Sequence, residues 1–310
     1  MKVLVTGGTG YLGSAIVKAL ASRGHEPVVF ARHAIDSGLP GVRVNGDVRD
    51  AGAVLAAATG CAAVCHSAAL VSVWRPRAQD FDDVNVGGLR NVLETVRRLG
   101  ISRFVYTSTF LALPPNGSNS PGAWNDYQRT KVLADRLARS AADRGAPIVV
   151  VYPGVLYGPG VRTDGNLVGR MLSDHMKGRL PGLVGADRLW SFSWIEDVAA
   201  GHVAALERGR AGARYRLCGV NAPQIKIFEL LREQIGRPLP RRIPRAAATM
   251  AATVEELAAA LFGRSPQLTS GTVEILIRDW AFDSDDAMRE LDYRITPMGD
   301  GLARCLAELR

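Results

Sequence analysis

Short apolar, β-branched runs alternate with longer stretches of helical period through the first half of the chain. KVLVT (2–6), EPVVFA (26–31), VRVNG (42–46), AAVCHS (62–67), RFVYTS (103–108) and PIVVVY (147–152) read as strands. Between them, residues 13–23 place Ile16, Val17 and Leu20 on one helical face and stop at Gly24. Residues 80–99 carry Val84, Leu89, Val92, Leu93 and Val96 at helical spacing and stop at Gly100, and 127–144 pairs Leu133 with Leu137 before Gly145. Strands joined by helical crossovers of one hand predict an α/β fold built on a doubly wound parallel sheet.

After about residue 159 the rhythm breaks and Gly and Pro become frequent. A helix is expected near 166–178, a strand at 191–195, a helix at 197–208, a strand near 213–218, and helices near 226–236 and 246–262. The chain therefore reads as a first domain over 1–158 and a smaller mixed α/β lobe over 159–310, with about 190–218 returning to the first. In 246–262, Met250, Val254, Leu257 and Leu261 share one side, and Glu255 and Glu256 are expected to face outward. The apolar side would pack on the second lobe, or cover a substrate mouth with Gly263 as hinge. A membrane-surface role is disfavoured because the polar face offers Glu rather than Lys.

Composition narrows the class. Of 310 residues, 47% are hydrophobic and 22% charged, which suits a globular chain and excludes a disordered or fibrous one. With 38 Lys and Arg against 30 Asp and Glu, the net charge is +8. That sign suits an anionic ligand such as a nucleotide, but the arginines are scattered without interleaved aromatics, so no nucleic-acid partner is expected. Cys61, Cys65, Cys218 and Cys305 are too few for a disulfide framework, which points to a reducing, cytoplasmic compartment. Cys65 lies in an apolar run and reads as a buried thiol, so no metal site is expected. No uncharged apolar run reaches roughly 18 residues, so no membrane span is expected, and the first residues lack a signal-peptide pattern.

The candidate chemistry starts directly after the first strand, in Thr6-Gly7-Gly8-Thr9-Gly10-Tyr11-Leu12-Gly13. Glycines at this spacing allow a tight turn, close approach of backbone N–H groups to a pyrophosphate, and close packing of the following helix. The second strand ends in Ala31-Arg32-His33, where an Arg rather than an acid suits a 2′-phosphate, favouring NADP(H), with NAD(H) as the other possibility. Asp47 could accept from an adenine amino group, or cap the helix that starts near Asp50. Tyr127 and Lys131 form Y-x-x-x-K on one helical face, where a nearby ammonium would lower the phenol's pKa and fit it for proton transfer. Tyr106, Thr107, Ser108 and Thr109 end the fifth strand and offer hydroxyls to a substrate oxygen.

With TGGTGYLG, DVRD, HSAA, VNVGG, YTST, YQRTK, YPGVLYGPG and WIEDVA in this order, the chain resembles the extended short-chain dehydrogenase/reductase superfamily along its whole length. Within it, AALVSVW, VNVGGLRNVLE, GRLPGLVG and SFSWIEDVAAGHVAALERGRAG are similar to the dihydroflavonol-reductase-like branch, most of all its farnesol dehydrogenase-type members. The resemblance implies a Rossmann sheet and a cofactor site of Gly7, Thr9, Gly10, Tyr11, Leu12, Gly13, Arg32, Asp47, Val48, Ala68, Ala69 and Thr107. Pro153, Gly154 and Val155 would bracket the nicotinamide. Tyr127 would be the acid/base, Lys131 would hold the nicotinamide ribose and tune Tyr127, and Asn85 would support the proton relay. It also implies a homodimer through helices 80–99 and 127–144.

Three departures from the branch stand out. Its catalytic Ser matches Thr109, with Ser108 as the alternative. The interval from Thr109 to Tyr127 is short, which would leave the substrate mouth more open over 114–126. The Arg that holds a substrate diphosphate in sugar-nucleotide members is replaced by Trp190-Ser191-Phe192-Ser193, with Arg188 nearest. The leading expectation is an NAD(P)-dependent oxidoreductase interconverting an alcohol and its ketone or aldehyde on a small hydrophobic substrate, suggested by Trp74, Trp124, Trp190, Phe192 and Trp194. The alternatives are a nucleotide-sugar epimerase or dehydratase with tightly held NAD, and a cofactor-sensing protein without turnover.

Overall fold

The computed structural model describes residues 1–161 and 163–309. Its strands are Lys2–Thr6 (β1), Glu26–Ala31 (β2), Val42–Asn45 (β3), Ala63–His66 (β4), Arg103–Thr107 (β5), Ile148–Pro153 (β6), Val155–Tyr157 (β7), Leu183–Val184 (β8), Leu189–Trp194 (β9), Arg214–Leu217 (β10), Val220–Pro223 (β11) and Arg242–Ile243 (β12). The helices are Tyr11–Ser22 (α1), Ala51–Ala58 (α2), Gln79–Phe81 (α3), Gly88–Leu99 (α4), Asp126–Asp143 (α5), Leu167–Met176 (α6), Ile195–Arg208 (α7), Lys226–Ile235 (α8), Arg245–Phe262 (α9), Ser270–Leu276 (α10), Asp285–Leu291 (α11) and Met298–Leu309 (α12).

Seven parallel strands form the central sheet in the order β10-β6-β5-β4-β1-β2-β3. Helices cover both faces, so its middle strands are buried on both sides and rich in Val. Against one face, Ile16, Val17 and Leu20 of α1 and Val198 and Val203 of α7 share a core with Val3, Val5 and Val151. Each of the three α1 side chains is withdrawn from water, worth about 1.5–3 kcal/mol apiece. Against the other, Val54, Leu89, Val92 and Ala138 pack on Leu4, Val64 and Phe104. The strand order reverses between β1 and β4, so the crevice lies beyond Thr6 and His66, where α/β sheets bind ligands.

A smaller sheet, β11-β9-β7, carries a second core of Trp190, Phe192, Trp194, Phe228, Leu231, Trp280 and Leu302. Among the described residues, β7, β8, β11, β12 and the three helices after α9 were not anticipated from the pattern. They are two to four residues long as strands, or follow a Gly- and Pro-punctuated stretch, too short for a period to show.

Two helices differ from expectation. The segment 80–99 is not one α-helix: Asp82–Gly87 forms a π-helical turn between α3 and α4. At its end a Cβ on Gly88 would stand 2.9 Å from Val48 Cγ2, so α4 sits closer to Val48 than any side chain at that position would allow. In α9 the faces are the reverse of those expected. Ala248, Ala252 and Ala259 are buried, whereas Met250, Val254, Leu257 and Leu261 are 69%, 61%, 58% and 74% exposed. Glu255 accepts from the N–H groups of Gln267 and Leu268, and Glu256 from Ser270, so the acids point inward and satisfy the turn that starts α10. Capping outweighs the apolar period here, and α9 packs on the second lobe through its alanines rather than through its larger apolar side chains.

Candidate active site

The dinucleotide end is built by backbone. Gly7 has φ +69° and donates its N–H to Phe30 O at 2.8 Å, and Gly10 N–H donates to Gly7 O at 2.9 Å. A Cβ on Gly13 would lie 2.1 Å from Gly7 O, and one on Gly7 would lie 2.6 Å from Ala68 Cα. The loop is thus closed against β4 in a form only glycine permits. No side chain caps α1, which leaves its first N–H groups and partial positive charge for an anion. Those features fit a pyrophosphate. Tyr11 donates to Gly158 O at 2.8 Å and ties this loop to the segment after β7, while Thr9 and Leu12 stay half-buried beside it.

Arg32 is exposed and, among the described residues, has no hydrogen-bond or ion-pair partner at the end of β2. Asp47 is held by Arg49, which bonds Asp47 Oδ1 at 3.0 Å and Oδ2 at 2.7 Å and so keeps its carboxyl below the usual range, with Arg32 adding to the effect. It is Asp50 that caps α2, accepting from Ala53 N–H at 3.0 Å, which removes the capping alternative for Asp47. Val48 is buried under Gly88, and Ala69 follows Ala68 out of β4.

At the reacting end, Asn125 caps α5 by accepting from Gln128 N–H at 2.8 Å and sets Tyr127 in the first turn. Burial pushes the Tyr127 phenol up to about 12, with the Thr109 side chain pulling the other way. This corrects the expected depression by Lys131. The Lys131 ammonium instead donates to Tyr106 Oη at 3.1 Å and to Thr107 O at 2.8 Å, and burial pushes it down to about 7. Asn85, inside the π turn, accepts from Leu70 N–H at 2.7 Å and donates to Thr130 Oγ1 at 2.9 Å, locking the π turn to α5 one turn from Tyr127. π turns interrupt helices mostly where function needs a side chain re-aimed.

The hydroxyls of Thr107, Ser108 and Thr109 separate. Thr109 meets Tyr127, and its Oγ1 also accepts from Leu111 N–H at 3.3 Å. Ser108 donates to Asp135 Oδ1 at 3.1 Å, eight residues beyond Tyr127 on α5. Thr107 Oγ1 lies 3.0 Å from His202 Nε2, and His202 Nδ1 lies 2.7 Å from Val198 O, so the ring donates to the carbonyl and accepts from Thr107. The sequence reading missed His202, His66 and Asp135; Tyr106, expected to offer its hydroxyl to substrate, instead accepts from Lys131. Asp135 is buried between Ser108 and Arg139, four residues after Lys131 on the same helix, and that spacing was the available signal.

Pro153 ends β6, and Gly154 lets β9 approach, since a Cβ there would be 2.5 Å from Ser191 O. Val155, Leu167, Met171, Trp190, Phe192, Gln224 and Phe228 enclose a small apolar space of about 10 Å³. Trp194 is ordinary core against Tyr157, at 5.4 Å between rings. Trp74 is half-buried in the loop after β4. Trp124 and the Tyr127 ring pack on the edge of the second core. The short 114–126 loop is not left open: Asn116 exchanges hydrogen bonds with Ala281 at 2.7 and 3.0 Å, and Trp124 lies under Arg278 at 3.9 Å.

Comparison with known proteins settles the family. The model of the NAD dependent epimerase/dehydratase family matches residues 3–218. The chain belongs to that family. It is an NAD(P)-dependent oxidoreductase of the extended short-chain dehydrogenase/reductase type, in the dihydroflavonol-reductase-like branch. Sterol demethylase protein B of Methylococcus capsulatus is 33% identical, with all of this chain and 98% of that protein aligned. A putative dihydroflavonol 4-reductase of Synechocystis is 31% identical over 96% of this chain and 92% of its own. Among solved structures, gox2253 superposes with TM-score 0.82 at 28% identity, covering 98% of this chain and 96% of the other.

Proposed function

We propose that this member interconverts a hydrophobic alcohol with its ketone or aldehyde, using NADP(H) in preference to NAD(H). The observation that carries the reading is a Tyr127 phenol acted on by the Thr109 side chain, on the first turn of α5 and at the border of an apolar core containing Phe110, Trp190 and Phe192. The names of the two relatives speak of a sterol and a dihydroflavonol, both polycyclic carbon skeletons rather than nucleotide sugars, which supports the same substrate class.

The bound dinucleotide would supply or take up hydride. Gly7, Thr9, Gly10, Tyr11, Leu12 and Gly13 would hold its pyrophosphate, Arg32 a 2′-phosphate, Asp47 and Val48 the adenine, and Ala68, Ala69 and the backbone of Thr107 its length. Lys131 would bind the nicotinamide ribose, with Pro153, Gly154 and Val155 beside the ring. Thr109 orients the substrate oxygen. Tyr127, protonated across the neutral range, gives that oxygen its proton on carbonyl reduction; in the reverse direction its phenolate form takes the alcohol's proton. Asn85 positions α5 and thereby Tyr127. Against a nucleotide-sugar substrate stands Arg188, whose guanidinium is paired with Asp279 at 3.4 Å on the surface, while the diphosphate-binding position is filled by β9 side chains of the apolar core.

The same reading divides the chain near residue 158, pairs two copies through α4 and α5, and places the protein in the cytoplasm. Buried thiols at Cys61, Cys65 and Cys218 suit that compartment, and no described helix is long and apolar enough to cross a membrane. The test is a panel of isoprenoid, aromatic and steroid alcohols and carbonyls with both cofactors, a nucleotide sugar as control, and Tyr127→Phe alongside. Turnover of a hydrophobic member, cut on the order of 10²-fold or more by Tyr127→Phe, is expected. Turnover of the nucleotide sugar alone, or a Tyr127→Phe variant of full activity, overturns the reading.

A further inference from the structure

The exposed side of α9 is the largest unpartnered apolar feature of the described molecule. Met250, Val254, Leu257, Leu261 and Phe262 lie 58–74% exposed along 18 residues, a length of roughly 27 Å at 1.5 Å per residue. Around them are only Ala and Thr; Arg245, in the first turn, is the one charged residue of the helix that is exposed. Monomeric proteins rarely leave such a stripe to water. The acids that would repel an anionic surface, Glu255 and Glu256, are turned inward and spent on the N–H groups of 267–270. Exposed guanidinium groups stand at both ends of the helix, at Arg241, Arg242 and Arg245 before it and Arg264 after it. Arg242 and Arg245 are paired with Asp187 and Glu274, whereas no ion pair among the described residues involves Arg241 or Arg264.

We infer that α9 lies flat on an anionic lipid surface, its apolar side chains in the interface and Arg241 and Arg264 on the lipid phosphates. Charge complementarity selects this occupant. A second copy seated on the stripe would set arginine ends against arginine ends whether the two helices ran parallel or antiparallel, whereas acidic headgroups neutralise them, in a chain of net charge +8. A helix of this kind rests on the bilayer without spanning it. The inward turn of Glu255 and Glu256 removes the sequence-based objection to such a role. The helix is also joined to the site: α9 packs on α10, and α10 presses on the segment before Tyr127, where a Cβ on Gly271 would meet Trp124 O at 1.8 Å. The inference stands on α9 itself and does not depend on which alcohol or carbonyl is the substrate.

The test is co-sedimentation of the full-length protein with vesicles of phosphatidylglycerol and phosphatidylcholine in equal parts, and of phosphatidylcholine alone, at low and high salt. Binding to the anionic vesicles that weakens with salt is expected, with little binding to the neutral ones. The variant carrying Leu257→Asp and Leu261→Asp should lose on the order of tenfold or more in partitioning, since either leucine withdrawn from water contributes at least that much. It should keep the melting temperature of the unmodified protein, because both positions are already exposed. Arg264→Glu should weaken binding about fivefold or more. Equal binding to neutral vesicles, no binding to either, or undiminished binding by the double variant overturns the proposal. Loss of a dimer in the double variant without any vesicle effect would assign the stripe to a second copy instead.

Discussion

Thr109 and Ser108 are neighbours in sequence with opposite duties. Thr109 meets the phenol, so Thr109→Val, which keeps the shape and deletes the hydroxyl, should lower turnover on the order of 10²-fold with the melting temperature nearly unchanged. Ser108→Ala should do the reverse. It removes a partner from the buried Asp135 carboxylate, costing about 1–3 kcal/mol of stability by denaturant titration, and leaves turnover close to that of the unmodified enzyme. Equal activity losses in the two variants would return Ser108 to the catalytic set. Lys131 carries a pH signature. Its pKa in the folded protein is pushed down to about 7 from 10.5, so between those values the unfolded chain binds the additional proton and stability rises with pH. His66 and His202, pushed down to about 3 and about 4, act with the same sign below pH 6.5. Above about 9, Cys65 and Cys218, pushed up to about 12, reverse the slope. Thermal melts should therefore rise from pH 7 to about 9, and Lys131→Met should flatten that interval; an unaltered slope would mean Lys131 keeps its charge when folded.

At the scale of elements, the π turn and α4 show how a local preference yields to packing. Alanine at Gly88 would gain about 1 kcal/mol in helix propensity but forces a Cβ to 2.9 Å from the stiff Val48 side chain, an overpacking worth about 1–3 kcal/mol. Gly88→Ala should therefore destabilise modestly, and in a Val48→Ala background the same change should become neutral or stabilising. A calorimetric double-mutant cycle reads this directly, and additivity would show that the two positions do not constrain each other. α5 is set by its ends and its neighbours together: Asn125 starts it, Asn85 pins it, and Gly145 at φ +86° follows its end. Tyr127 and Lys131 are thereby rigidly placed on one helix, although in this arrangement their polar ends serve different partners.

For the molecule as a whole, the cofactor site spans the β1–β4 reversal and reaches Gly158 through Tyr11, so occupancy couples the sheet to the elements beyond it. A cofactor at 100 times its dissociation constant should stabilise the fold by about 2.7 kcal/mol. Differential scanning should show the larger shift with NADPH than with NADH, and Arg32→Asp should invert that order, because an acid repels a 2′-phosphate and accepts from a 2′-hydroxyl. Equal shifts in the unmodified protein would remove the argument from Arg32.

The strands, the glycine turn and the Y-x-x-x-K helix were legible in the residues because each depends on local order: period, spacing, and glycine where only glycine fits. Tyr127 and Thr109 were found by motif and are brought together. Other features were decided across the fold. Which partner each hydroxyl of Thr107, Ser108 and Thr109 meets is decided by the helices that close on them: α7 brings His202 to Thr107, and α5 brings Asp135 to Ser108 and Tyr127 to Thr109. Lys131 turns to Tyr106 and Thr107 because β5 lies beside it, and Asp135 becomes a buried junction only when Ser108 and Arg139 surround it. The outward stripe of α9 is the clearest case. Its period is written in the sequence, but the direction it faces was set by N–H groups 12 to 14 residues further on that needed Glu255 and Glu256 as acceptors, a demand that exists only once the chain has turned back on itself.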